Sequence, residues 1–171
     1  MMNKPLLFRF LLGILILFLS VPSLPAIAVN PTLGTIRQLE EVPGQMVYQS
    51  RQNLRDTQGN VWIAIAFKRP DDLLYLRLVG FPGVVEIDRT QPLRLIDSLN
   101  HTQLASDASA QMFIEGVQPH IGQYDLQPLV SELKPEIPLH LELPTVQGTT
   151  VILKLPPSFV QDWIAIASLP D

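Results

Sequence analysis

Short runs in which apolar and polar residues alternate recur along this chain, and residues that favour turns separate them. Residues 73–79, 84–89 and 92–97 form three such runs, with proline and glycine in the intervals between them. In a β-strand the side chains point alternately to the two faces of the sheet, so a repeat of two is typical of an antiparallel sheet with one solvated face. The sequence therefore predicts a mainly β chain.

Three pairs of strands are predicted, each joined by a turn. Residues 45–54 and 60–69 flank a turn with Gly59-Asn60, a pair suited to a positive φ angle. In LRLVGFPGVVEIDR, Phe81-Pro82-Gly83 is interpreted as the corner that joins strands 73–79 and 84–89, because proline presets φ and glycine tolerates a positive one. Residues 139–143 and 150–155 alternate in the same way and are predicted to pair.

The C-terminal segment PPSFVQDWIAIAS (156–168) has a different pattern, because its apolar residues recur at helical spacing after two prolines that suit a helix start. A second helix is predicted over residues 125–136, with Asp125 as N-cap. Residues 98–110 are interpreted as a loop and residues 112–114 as a short strand. The predicted fold class is α+β, mainly β: an antiparallel sheet, arranged as a sandwich or partly open barrel, with the C-terminal amphipathic helix packed on it.

The first 28 residues have the three-part pattern of a secretory signal peptide. Lys4 and Arg9 precede an apolar run at 10–19, which is followed by two prolines and the small-residue triplet Ala26-Ile27-Ala28. An uncleaved membrane anchor is the alternative, but a bilayer span takes about 20 apolar residues and this run is shorter. We therefore expect an exported protein with no stable transmembrane segment after cleavage, a flexible lead at residues 29–44, and a single β-rich domain at residues 45–171.

Charge and cysteine content exclude several classes of function. The chain has 12 basic and 16 acidic residues, and removal of Lys4 and Arg9 leaves 10 basic residues and a net charge of −6. A chain this acidic, without a basic cluster, is not expected to bind nucleic acid, which requires neutralisation of phosphates. With no cysteine, the chain has no lipoprotein anchor, disulfide or thiolate metal site.

No motif for catalysis, a cofactor or a metal is found in the sequence. The three histidines, His101, His120 and His140, are scattered and lack the spacing of a metal site, and there is no G-x-S-x-G motif for a nucleophile. We therefore expect a protein that is not an enzyme and that has no catalytic, cofactor-binding or metal-binding residues.

Two groups of residues are candidates for contact with a partner. Lys68 and Arg69, with Arg77 on the next predicted strand, form either a basic contact patch or cross-strand ion pairs with acidic neighbours. Phe81, with Pro82, and Tyr124 lie in glycine-flanked segments predicted as loops, and aromatic residues are enriched at interfaces. The alternative is that Phe81 folds back over the sheet edge and that Tyr124 fills the core.

Several segments together resemble a family of small exported cyanobacterial proteins that is known only as a domain of unknown function. The resemblance covers about residues 38–166 and includes VYQSRQNLRDTQGNVW, VGFPG, GQYDL and PPSFVQDW. It implies export to the thylakoid lumen or the periplasm, and it carries over no site residues. The expected function is a soluble protein-interaction module, accessory to assemblies such as lumenal photosynthetic membrane complexes. The alternative is a carrier that holds an apolar ligand (a pigment, a lipid or a quinone) inside the β-structure.

Overall fold

The computed structural model describes residues 36–69, 73–112 and 116–169, all within the compact unit Leu33–Asp171. The predicted signal peptide and residues 29–35 lie outside the described residues. The described elements are β1 (Ile36–Val42), β2 (Gln45–Arg55), β3 (Val61–Lys68), β4 (Leu74–Val79), β5 (Leu93–Asp97), β6 (Thr102–Ala105), β7 (Ile121–Asp125), β8 (Leu139–Pro144), β9 (Thr150–Leu155) and the helix α1 (Pro157–Ala167). Two short 3₁₀ helices span Ser109–Gln111 and Gln127–Glu132.

The strands form two antiparallel sheets, which confirms the predicted fold class. The five-stranded sheet has the order β1-β2-β3-β4-β7, and the four-stranded sheet has the order β6-β5-β8-β9. Single bridges between Asp56 and Leu153 and between Asp107 and Tyr124 bring the edges of the two sheets together. The strands of the described ranges do not close into a barrel.

One hydrophobic core is shared by both sheets and by α1. On the five-stranded sheet, the cross-strand register places Leu54 opposite Trp62 and Leu76 opposite Tyr124, all facing this core. Between them, Ala64 and Ala66 of β3 are fully buried, and such small side chains leave room for a helix to approach the sheet closely.

Helix α1 occupies that space and confirms the predicted C-terminal helix. It contacts β2, β3 and β4 through its apolar face, which contains Phe159, Trp163 and Ile166. The Ser50 hydroxyl donates a buried hydrogen bond of 2.5 Å to the Asp162 carboxylate, so the polar side chain on this face is also satisfied. No helix among the described residues has the length and hydropathy needed to cross a membrane.

Two edge strands lie where the sequence predicts none. Residues 36–42, assigned to the flexible lead, form β1 and pair with β2. Residues 102–105, assigned to the 98–110 loop, form β6, because a tight turn brings the chain back beside β5. In that turn the Asp97 carboxylate accepts hydrogen bonds from the backbone N–H groups of Leu99 (2.8 Å) and His101 (2.9 Å).

The predicted hairpin over LRLVGFPGVVEIDR is wrong. β4 is flanked by β3 on one side and β7 on the other, so no free edge remains for residues 84–89 to pair with. Residues 84–89 form only a single bridge, between Ile87 and Thr145. The stretch from residue 80 to residue 92 instead connects β4 of one sheet to β5 of the other.

One further local prediction is wrong, and another is described only in part. The helix predicted for residues 125–136 is only the 3₁₀ helix Gln127–Glu132; Asp125 ends β7 and accepts a hydrogen bond from the Gln127 N–H at 2.9 Å. Met112, the first residue of the predicted strand 112–114, follows a 3₁₀ helix and lies in no strand. The other two residues of that strand lie outside the described ranges.

Candidate functional site

The connection between β4 and β5 begins with a tight turn that exposes an aromatic side chain. The Val84 N–H donates to the Phe81 carbonyl at 3.2 Å, and Gly83 has a φ of 75°, as a turn at this corner requires. Phe81 is 67% exposed, and Pro82 is exposed beside it. The predicted corner is therefore a turn, although it does not join two paired strands.

Gly80, the residue before Phe81, is buried against an aromatic ring of the core. A Cβ atom placed on Gly80 would lie 2.9 Å from Cη2 of Trp62, so only glycine fits against this ring without a shift. The Trp62 indole is itself held by a hydrogen bond of 3.2 Å from its Nε1 to the Asp56 carboxylate. Gly80 is therefore fixed against Trp62, and Phe81 follows it as an exposed residue.

Hydrogen bonds hold the connection against the loop that precedes β7. The Gly80 N–H donates to the His120 carbonyl, and the Ile87 N–H donates to the Pro119 carbonyl, each at 2.9 Å. The Arg89 guanidinium donates to the Gln118 and Ile121 carbonyls at 2.5 and 2.6 Å. Because side chain and backbone both fix this loop, its position is determined before any partner binds.

The other side of the connection is held by the turn between β8 and β9. The Val146 N–H donates to the Glu86 carbonyl at 2.9 Å, and the Asp88 N–H donates to the Pro144 carbonyl at 3.0 Å. Asp88 also accepts hydrogen bonds from Thr90 and Gln91, which lower the pKa of its carboxyl group. The turn at Phe81 thus projects from a loop that is fixed on both sides.

Four exposed apolar residues on these two turns make a surface, which we call the Phe81 surface: Phe81, Pro82, Val84 and Val146. Val84 is 52% exposed and Val146 is 57% exposed. A groove of about 310 Å³ lies beside it, lined by residues 82–86, 118–120 and Gln147. Neighbouring exposed apolar side chains with polar residues around them are typical of a protein-interaction site.

Tyr124 does not lie in a loop and does not belong to this surface. It lies in β7, opposite Leu76, and its side chain is fully buried in the core. Burial raises the pKa of the Tyr124 hydroxyl, and the charge of Asp107 raises it further. Tyr124 therefore fills the core, which was the alternative interpretation of its sequence context.

The predicted basic patch is wrong for Lys68 and Arg69, which are only 6% and 5% exposed. The Lys68 ammonium donates to the Leu169 carbonyl at 2.5 Å, beyond the C-terminal end of α1, where a positive charge is favourable. The Arg69 guanidinium donates to the Gln111 carbonyl at 3.0 Å and stacks on Tyr75 with 5.1 Å between its Cζ and the ring centre.

Arg77 is half-buried in the same region, and its side chain interacts with other residues of the domain. Its guanidinium donates to the Gln123 side-chain carbonyl at 2.8 Å and lies 4.8 Å from the centre of the Phe67 ring. The alternative, cross-strand ion pairs with Glu86 and Asp88, does not hold because these two acids lie in the connection after β4. The segment around Ala108 covers this face of the sheet, and it belongs to the stretch that the sequence assigns to a loop.

Sequence reasoning missed Val84 and Val146 as partners of Phe81. The alternating pattern assigns Val84 to a strand, and Val146 is a single apolar residue in a polar turn, which gives no periodic signal. Among residues 36–69, 73–112 and 116–169, no group of three or more histidine, aspartate or glutamate side chains could hold a metal ion.

Comparison with known proteins identifies a family. A family profile described as Protein of unknown function (DUF3122) matches residues 34–166. Searches of the curated proteins and of the solved structures found no match to this chain.

Proposed function

The chain belongs to this family of proteins of unknown function, and we propose that its domain is a non-enzymatic module that binds another protein through the Phe81 surface. The observation that carries the proposal is an aromatic side chain, 67% exposed, on a turn that hydrogen bonds fix from both sides. A fixed backbone loses little conformational entropy on binding, so more of the contact energy of the ring contributes to affinity. Aromatic residues of this kind are frequent among the few that dominate binding energy.

The proposal includes export, on the basis of the signal-peptide pattern in residues 1–28. The compartment proposed is the thylakoid lumen or the periplasm, and the partner proposed is a subunit of a membrane complex that faces that compartment. The domain then acts as an accessory or assembly factor. The resemblance to exported cyanobacterial proteins supports this compartment, whereas the Phe81 surface supports the mode of contact.

A comparison of two substitutions tests the role of Phe81. In affinity capture from host membranes with the tagged full chain, Phe81→Asp places a charge at the centre of the proposed interface. We expect it to weaken partner binding by roughly 30-fold or more, the effect of losing a dominant contact of about 2 kcal/mol. Leu99→Asp is the matched control, because Leu99 is 61% exposed and also lies in a turn, between β5 and β6.

Circular dichroism is expected to show the same folded spectrum for both variants, because neither side chain belongs to the core. The proposal fails if the folded Phe81→Asp variant retains every partner of the wild type. It also fails if both variants lose the same partners, since the loss is then a general effect of an added charge.

The apolar-carrier alternative has less support from the structure. A carrier of the predicted kind needs an open space inside the β-structure, but the core shared by the two sheets is filled by large aromatic side chains. The fully buried ones are Trp62, Tyr124, Phe159 and Trp163.

A further inference from the structure

A second and larger cavity lies away from the Phe81 surface, and we call it the edge cleft. Its volume is about 470 Å³, within the range of about 300–1,000 Å³ that is usual for small-molecule sites. One wall is formed by β5, β6 and the turn between them, and the other wall is the segment 131–137 around the end of the second 3₁₀ helix. The cleft is therefore built between an edge of the four-stranded sheet and a separate segment of chain.

The inner lining of the edge cleft is aliphatic. Leu95 and Leu133 are almost completely buried, and Ile137 and Leu139 are partly buried beside them. Leu95 and Leu133 are already buried by the domain, so Ile137 and Leu139 offer most of the apolar surface that a ligand body can remove from water in this concave site.

The acidic groups that line the edge cleft already accept hydrogen bonds from within the domain. Asp97 accepts hydrogen bonds from the His101 N–H and from His101 Nδ1, both at 2.9 Å. Burial alone would raise the pKa of Asp97, but these hydrogen bonds and that of Leu99 outweigh it, so the pKa lies below its usual value. Glu132 accepts a hydrogen bond from the Gln103 side chain at 2.8 Å.

The basic group of the edge cleft has no such partner. The Lys134 side chain is exposed and makes no hydrogen bond or ion pair with the described residues; only its backbone carbonyl accepts a hydrogen bond, from the Ile137 N–H. The Lys134 ammonium is therefore a positive charge without a partner among the described residues, and it lies above the aliphatic part of the lining.

We propose that the edge cleft binds a small amphipathic molecule with an aliphatic body and an acidic head group, with the head group at Lys134 and the body on Leu133 and Ile137. This site is separate from the proposed protein contact at Phe81, and it lies at a sheet edge rather than inside the β-structure. Ligand binding in the cleft therefore leaves the Phe81 surface free for a partner.

Isothermal titration of the full chain with decanoate tests the proposal. We expect saturable binding, with chemical-shift changes in nuclear magnetic resonance spectra concentrated at residues 95–103 and 131–139. Lys134→Gln removes the positive charge without touching the core, and it is expected to weaken decanoate binding by about tenfold. Ile137→Asp is expected to abolish binding, because it places a like charge on the aliphatic lining.

Three controls test whether decanoate binding depends on the edge cleft and on the charge of the head group. Lys154→Gln removes an exposed lysine that does not line the cleft and should keep wild-type affinity. Decanol, which lacks the charge, should bind more weakly than decanoate. Phe81→Asp should bind decanoate as the wild type does, so a failure of the protein-contact proposal can be told apart from a failure of this one.

The proposal is overturned if decanoate does not bind, or if Lys134→Gln and Lys154→Gln bind it equally well. It is also overturned if the chemical-shift changes concentrate at residues 80–86, since decanoate would then bind at the Phe81 surface.

Discussion

The segments VGFPG and GQYDL both place an aromatic residue close to a glycine, but one aromatic side chain is exposed and the other is buried. Each segment has an aromatic residue one or two positions after a glycine; Phe81 is 67% exposed, whereas Tyr124 is fully buried. In both segments the glycine makes room for an aromatic ring of the core. A Cβ on Gly80 would meet Trp62 from β3 at 2.9 Å, and a Cβ on Gly122 would meet the Tyr124 hydroxyl oxygen at 2.9 Å.

The difference shows that a glycine next to an aromatic residue does not by itself indicate a contact loop. At Gly122 the ring that fills the space belongs to the same strand, because Gly122 and Tyr124 both face the core. At Gly80 the ring in that space comes from another strand, and Phe81, the next residue, is exposed. The glycine alone therefore does not tell whether the nearby aromatic residue is available to a partner.

The largest expected effect comes from truncating the two aromatic residues. Tyr124→Ala leaves a cavity in the core and should lower the free energy of unfolding by about 3–5 kcal/mol. Phe81→Ala removes a mostly solvated ring and should change it by no more than about 0.5 kcal/mol. Urea unfolding followed by tryptophan fluorescence measures both, and similar losses in the two variants would contradict the contrast drawn between these residues.

A smaller effect is expected from adding a methyl group at the two glycines. Gly80→Ala and Gly122→Ala each force a shift of a buried ring and should cost about 1–3 kcal/mol of unfolding free energy. The closest atom to the new methyl group at position 122 is the Tyr124 hydroxyl, so part of that cost should disappear in a Tyr124→Phe background. In the Tyr124→Phe background the cost of Gly80→Ala should be unchanged, so the two glycine variants serve as controls for each other.

Elements whose burial alternates strictly could be predicted from the sequence. In β3 and β9 nearly every second residue is buried, and in α1 the buried residues follow a helical repeat, so their patterns are visible without a structure. The edge strand β6 shows almost no alternation, because three of its four residues keep contact with solvent. Residues 84–89 show the reverse case: they alternate, but both edges of β4 are already taken.

The candidate site was predictable only in part, for a related reason. Proline and glycine around Phe81 identified the turn, because these residues act on the local backbone. The close packing of Gly80 against Trp62, beside the exposed Phe81, joins residues that are far apart in the sequence. The burial of Arg69 likewise depends on the distant residue Gln111, which local patterns do not contain.

Tyr124→Phe is expected to have the smallest effect on the free energy of unfolding at neutral pH. Its effect is expected to grow at alkaline pH. The Tyr124 hydroxyl is buried and has no hydrogen-bond partner among the described residues, so its removal should leave the free energy of unfolding unchanged or slightly raised. Burial raises the pKa of this hydroxyl above its ordinary value of 10.0. The folded state therefore keeps a proton that the unfolded state loses above about pH 10, and stability decreases as the pH rises beyond that value.

Unfolding free energies measured from pH 8 to pH 12 test this dependence on the Tyr124 hydroxyl. Wild-type protein should lose stability above pH 10, the ordinary pKa of the hydroxyl, and Tyr124→Phe should lose less. An alkaline loss that is the same in Tyr124→Phe as in the wild type would mean that the hydroxyl is solvated in the folded state. Tyr124 would then resemble Phe81 in access to solvent, and the contrast between the two segments would rest on the glycines alone.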